Sequence, residues 1–269
     1  MANKKYEEAD IQAIAEAIRE KTGSEDSYKV SDMASGVNNV YRCAEQEKNL
    51  AMWNWFTNYN NRGGCYLFYG LSTVEYIRPP FKLSVKDSSS CDNMFSGCSK
   101  LKRIEKDYFD LSTNNRTGNT TQGNGYLCSG CYALEVFEDV NISASSLNSA
   151  FNYCSKLHTI ELLRSIESTY FNSAFYRCES LQNIAFSKDS VIGKNISFSH
   201  SPLTVDSMKN VITALKDYAG TTSEYTYTVT FKTSAFEALE AEGATAEYNG
   251  VACTWAELID NLKWNLVKA

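Results

Sequence analysis

Long basic runs, long apolar runs and catalytic signatures are all missing from these 269 residues. Lys and Arg number 26 against 32 Asp and Glu, a net charge of −6 with a pI near 5.1. No stretch clusters enough cations to neutralise a phosphate backbone or to hold an anionic bilayer, which argues against nucleic acid and against a polybasic anchor. No apolar run reaches the roughly 18 residues of a membrane helix, so no membrane insertion is expected. The first residues, MANKKYEEADIQAIAEAIRE, are interrupted by Glu16, Arg19 and Glu20 and do not read as a secretory signal peptide. P-loop, HExxH and GxSxG patterns are absent. The two histidines, His158 and His200, lack metal-ligand spacing. No catalytic set, metal or cofactor is therefore expected, and the chain does not read as an enzyme. No heptad run points to an oligomer, and the oligomeric state stays open.

Prolines are also scarce, at three, while Tyr (17) and Phe (13) are plentiful. Asn and Ser crowd the stretch from Ser88 to Ser201. That mix suits many short strands and turns. The nine cysteines are an odd set, against a disulfide framework, and their spacing has another cause. Aligned on one cysteine, four segments fall into register: MFSGCSKLKRIE (94–105), LCSGCYALEVFE (127–138), AFNYCSKLHTIE (150–161) and AFYRCESLQNIA (174–185). The aligned residues are Cys98, Cys131, Cys154 and Cys178, spaced 33, 23 and 24 apart. A weaker copy, FYGLSTVEYIR (68–78), has Leu71 at that position, and FSHSPLT (198–204) has Ser201 there. The longer first spacing is accounted for by DLSTNNRTGNTTQGNG (110–125), which reads as a surface loop.

One such unit cannot bury its own apolar face, but stacked units can. Leu101, Leu134, Leu157 and Leu181 are expected in one buried column, and Ile104, Phe137, Ile160 and Ile184 in the next. The cysteines should form a third, since a buried thiol behaves as a small hydrophobe. The CxxC of Cys128 and Cys131 admits a redox or zinc reading, but the repeat already accounts for Cys131 and no second CxxC lies nearby. The residue after the Ile position should face solvent, because strand side chains alternate. This places Arg78, Glu105, Glu138 and Glu161 in a ladder, with His158 also on a solvent-facing position. Like charges on neighbouring strands repel. The ladder is either tolerated in water or kept for a cationic partner or Ca²⁺.

The frame AFxxCxxLxxI resembles the BspA-type (Treponema pallidum-type) leucine-rich repeat, and SSSCDN-MFSGCSKL resembles the related MFxxCxxL repeats of bacterial surface proteins. The resemblance covers about half of the chain and implies an α/β repeat, a leucine-rich-repeat solenoid of about six rungs of 23–24 residues. The block IQAIAEAIREKTGSEDSYKVSDMASGVNNV, helical in pattern over 9–21, resembles a segment of prophage tail-associated proteins of gut Firmicutes. After Leu203 the pattern changes to an amphipathic helix (205–218), an alternating strand (224–232), a helix-like SAFEALEAEG and an Asn249-Gly250 hairpin signal. Four segments follow: a helical N-terminal part (1–42), a connector (43–64), the solenoid (65–203) and an α/β C-terminal cap (204–269). The resemblances imply a non-enzymatic binding or structural module, a prophage-encoded virion (tail or fibre) component that meets a protein or surface-glycan partner. It would sit in the virion, or outside the cell after lysis. The alternative is a BspA-like bacterial surface adhesin.

Overall fold

In each repeat a run of tight turns is followed by a very short strand, and the computed structural model shows how that run is satisfied. It describes residues 66–79, 82–84, 91–111, 125–243 and 245–269, all within one unit, 61–269. The expected N-terminal part (1–42), the connector (43–64) and residues 112–124 of the expected loop lie outside the described residues. Around Cys98, successive turns close within the segment: Met94 N–H donates to Cys91 C=O (3.1 Å), Ser96 to Asn93 (3.2 Å), and Cys98 to Phe95 (3.1 Å). The intervening amides leave the segment. Asn93 donates to Gly125 C=O (3.0 Å), Phe95 to Leu127 (2.8 Å) and Gly97 to Ser129 (2.8 Å), all in the next repeat. The scheme recurs from Tyr126, Cys128 and Gly130 to Asn148, Ala150 and Asn152, and from Ser149, Phe151 and Tyr153 to Asn172, Ala174 and Tyr176. Side chains at the start of the run add to it. Asp92 Oδ1 accepts from Gly125 N–H (2.7 Å) and Asn148 Oδ1 from Asn172 N–H (3.2 Å).

The strands that follow the turns are β1 (Leu83–Ser84), β2 (Arg103–Ile104), β3 (Phe109–Asp110), β4 (Val136–Phe137), β5 (Ser143–Ser146), β6 (Thr159–Tyr170), β7 (Asn183–Phe186) and β8 (Ile196–Phe198). β2, β4, β6 and β7 pair in parallel, aligning Ile104, Phe137, Ile160 and Ile184. These four, the Leu101 column and the aligned cysteines are all buried.

Two findings correct the expected α/β leucine-rich-repeat solenoid of about six even rungs. Most strands span only two to four residues and fall into four separate parallel or antiparallel sheets. The three helices found among the described residues are short and all follow Leu203. The physical reason lies between the repeats. Segments such as NISASSL have no helical apolar stripe, and they form further short strands where a neighbouring strand offers a ladder. β5 pairs in parallel with the second half of β6, and β1 with β3.

After β8 come α1 (Val205–Thr213), β9 (Thr228–Phe231), α2 (Thr233–Glu240), β10 (Ala246–Tyr248), β11 (Val251–Cys253), α3 (Trp255–Asn261) and β12 (Asn265–Lys268). Thr204 caps α1 through the Ser207 amide, and Thr254 with Glu257 forms a capping box on α3. Asn249 and Gly250, both at positive φ (51° and 80°), close the β10–β11 hairpin. β8, β9 and β12 form a further parallel sheet. Aromatic stacking continues across it, from Phe175 to Phe198 (4.7 Å), to Phe231 (6.1 Å) and to Phe236 of α2 (5.6 Å).

That ring column has one gap. Phe68, Phe95, Phe151, Phe175 and Phe198 occupy the position three before the aligned residue, where the second full repeat has Cys128. The same repeat carries Phe137 where its neighbours carry isoleucine, and Phe137 packs edge-on against Phe151 at 5.0 Å. Phe137 is larger than isoleucine and returns only part of the volume that Cys128 lacks relative to phenylalanine. Cys128→Phe alone is expected to overpack and cost about 1–3 kcal/mol. Phe137→Ile alone leaves a void, at about 2 kcal/mol. The double variant should lose less than the sum, by about 1 kcal/mol or more in urea denaturation, whereas strict additivity would mean that the two sites do not share space.

Candidate functional site

The acidic ladder is not a row of unopposed carboxylates. Arg78 donates to both oxygens of Glu105, at 2.8 and 3.0 Å. Glu138 accepts from Arg103 (2.7 Å) and from the Lys106 amide (3.1 Å). Glu161 accepts from the Asp139 amide (3.3 Å) and lies 3.6 Å from the Lys106 ammonium. Arg164 in turn holds Asp139 at 2.9 Å. His158 is exposed, and its Nδ1 lies 3.0 Å from the Thr159 hydroxyl, apart from these pairs. The structure thus brings Arg78, Glu105, Glu138 and Glu161 onto one charged face on which each carboxylate has a cation within 4 Å. Arg78 shares the frame position of the Glu105 it pairs, whereas Arg103 and Lys106 come from other positions of the frame, so aligning a single position does not reveal them. Among the described residues no group of three or more His, Cys, Asp or Glu side chains could hold a metal ion.

The aligned thiols have a role of their own. Cys98 Sγ donates to Phe68 C=O (2.9 Å), Cys131 to Phe95 (3.0 Å), Cys154 to Cys128 (3.0 Å) and Cys178 to Phe151 (3.1 Å), each in the preceding repeat. Burial pushes the Cys98 and Cys178 thiols up to about 12 and holds Cys128 and Cys154 protonated as well. Cys128 and Cys131 are fully buried free thiols, placed as packing residues are.

The turn face carries the feature with no structural account. The residue before the aligned position has left-handed backbone in Gly70 (φ 71°), Gly97 (76°), Gly130 (72°), Tyr153 (61°) and Arg177 (61°). Glycine takes this conformation freely, whereas a bulky L-residue there costs roughly 1–2 kcal/mol. Yet Tyr153 stays 43 % exposed and the Arg177 side chain 49 %, so little burial offsets that cost. The two flank Tyr176, which meets the Tyr153 ring edge-to-face at 5.5 Å and the His200 ring at 4.8 Å. The Arg177 guanidinium lies 5.9 Å from the Tyr176 ring centre and 3.3 Å from Glu179. Tyr153, Tyr176, Arg177 and His200 form the candidate site. The signal was present in the chain, as YGL, SGC, SGC, NYC and YRC at successive repeats, but it means something only once the backbone at that position is known to be left-handed.

Two predictions follow from these faces. Burial works to raise the Glu138 pKa, but the bonds from Arg103 and the Lys106 amide outweigh it and hold the carboxyl below its ordinary value of 4.5. A carboxylate depressed in the folded state contributes stability that is full above the unfolded pKa and lost as pH falls through the folded one. Glu138→Gln should therefore cost about 1 kcal/mol at neutral pH, with the cost fading on acidification to about pH 2. An equal cost at both pH values would exclude the charge. Tyr153→Gly and Arg177→Gly should each leave stability unchanged or raise it by up to about 1 kcal/mol, because relief of strain opposes the added freedom of the unfolded chain. A loss above about 1 kcal/mol would make these side chains structural. No protein-family model, no curated protein and no solved structure matches the chain.

Proposed function

We propose that the protein is a non-enzymatic recognition module, a virion (tail or fibre) component that engages a cell-surface partner through the turn-face cluster of Tyr153, Tyr176, Arg177 and His200. The observation that carries this reading is that two large side chains stand on strained backbone, half exposed, where three earlier repeats have glycine. Strain without packing gain favours a role in contact with something outside the chain. Tyr and Arg are the residue types that carry most contact energy at interfaces, since each buries a large surface for few rotatable bonds. The virion placement rests on the resemblance of the N-terminal block to prophage tail-associated segments. In addition, no helix among the described residues is long and apolar enough to cross a membrane.

The test is binding of the labelled full chain to a panel of intact gut Firmicutes cells, beside fibronectin, fibrinogen and mammalian epithelial cells. Wild type should bind a restricted set of bacterial strains, and the double variant Tyr153→Gly/Arg177→Gly should lose at least about tenfold in affinity while remaining folded. Binding unchanged in the double variant would remove the turn-face site. Binding to host matrix instead would favour a bacterial surface adhesin.

A further inference from the structure

We infer that the partner of this face is an anionic, hydroxyl-bearing polymer, a surface glycan chain running across successive repeats. This inference rests on the recognition role proposed above. Charge is segregated on a molecule of net charge −6. Among the turn segments 91–100, 125–133, 147–156 and 171–180, the only acids are Asp92 and Glu179, while Lys100, Lys156 and Arg177 supply cations. Asp92 is occupied by the Gly125 amide at 2.7 Å. Glu179 meets Arg177 through one contact of 3.3 Å with both side chains about half exposed, a pair that a ligand anion can exchange. Glu105, Glu138 and Asp139 of the charged face lie just beyond β2 and β4 and are each held by a cation there.

The uncharged part of the face points the same way. Within those segments the exposed large apolar side chains are all tyrosines: Tyr126, Tyr132, Tyr153 and Tyr176. A protein partner would call for an aliphatic or aromatic core closed off from water. Here single amphipathic rings stand among small hydroxyl groups, and Ser199 Oγ lies 3.0 Å from His200 Nδ1. Rings of this kind take the C–H face of a sugar and leave its hydroxyls to polar neighbours, while the guanidinium fork suits a carboxylate or phosphate. Tyr153, Tyr176 and His200 come from three successive repeats, with ring centres 5.5 and 4.8 Å apart. That step is comparable to the length of one pyranose ring, so a chain laid along this edge-to-face row meets a new side chain with each sugar.

Binding of the full chain to polygalacturonate, to poly(glycerol phosphate) and to neutral dextran, measured by calorimetry, tests this. Wild type should bind a polyanion and not dextran, more weakly as salt rises. Arg177→Gly and Tyr153→Gly should each weaken binding by about tenfold or more. The first two polymers separate carboxylate from phosphodiester as the source of the charge. Equal binding of dextran, full binding by Arg177→Gly, or no binding of any polymer would overturn the inference. If no polymer binds while the double variant still loses its bacterial strains, the glycan class falls and the recognition site stands. If the double variant keeps those strains, the site itself falls.

Discussion

Peptide groups in the turn segments between Tyr66 and Tyr153 alternate between two directions, and the rest of the structure depends on that alternation. One set closes turns within the segment, and the other reaches the next repeat with every N–H pointing the same way. A turn run by itself would leave the second set unpaired in an apolar interior, at a cost comparable to a lost hydrogen bond for each group. Adjacent repeats therefore have to stay in register. The aligned cysteine sits at the tightest point of this arrangement. It is small enough to lie between layers, apolar enough for full burial, and able to donate to a carbonyl of the layer before. Alanine would fit there without the donor, and serine would bring a hydroxyl that needs stronger satisfaction. At the last such position the chain does carry serine, and Ser201 Oγ finds Cys178 C=O at 3.2 Å.

Much of the stacking was legible because position within a repeat maps onto position in the core. The Leu101 and Ile104 columns and the cysteine column could be read from one frame, because a period held over several copies constrains each of its members. What escaped the frame were relations between different positions of neighbouring repeats. Arg103 pairs with Glu138, two places away in the frame and 35 residues away in the chain. Phe137 packs against Phe151, the ring column from which Cys128 is the exception, and a column-by-column reading treats each exception as isolated. The secondary structure between repeats was misjudged for a local reason. A parallel strand such as β5, four residues of Ser and Ala, has almost no propensity signal and forms because β6 offers it a ladder.

The end of the chain was legible in type and less so in role. The helix starts at Thr204 and Thr254 follow ordinary capping rules. The strand read over 224–232 proved to be Thr228–Phe231, and its pairing with β8 and β12 extends the parallel stacking beyond the last recognisable repeat. Thr228 N–H even finds Asn195 Oδ1 at 2.8 Å, the same contact that Asn148 and Asp92 make earlier. Tertiary pairing imposes this continuity on segments whose own residues no longer spell the frame.

Gly70, Gly97 and Gly130 acquire a different significance beside Tyr153 and Arg177. A Cβ added at Gly70 meets nothing within 4 Å, and at Gly97 and Gly130 it meets only the preceding glycine at 3.5 Å or more. These positions are empty sockets on a backbone that already has the required shape, so a side chain can be mounted in any of them without rebuilding the fold. The limit on doing so is thermodynamic. Each bulky residue mounted costs roughly 1–2 kcal/mol of backbone strain, against a total stability of about 5–15 kcal/mol for a typical domain. The side chains of such a surface can therefore be exchanged one socket at a time, but only a few sockets can be filled together before the scaffold that carries them gives way.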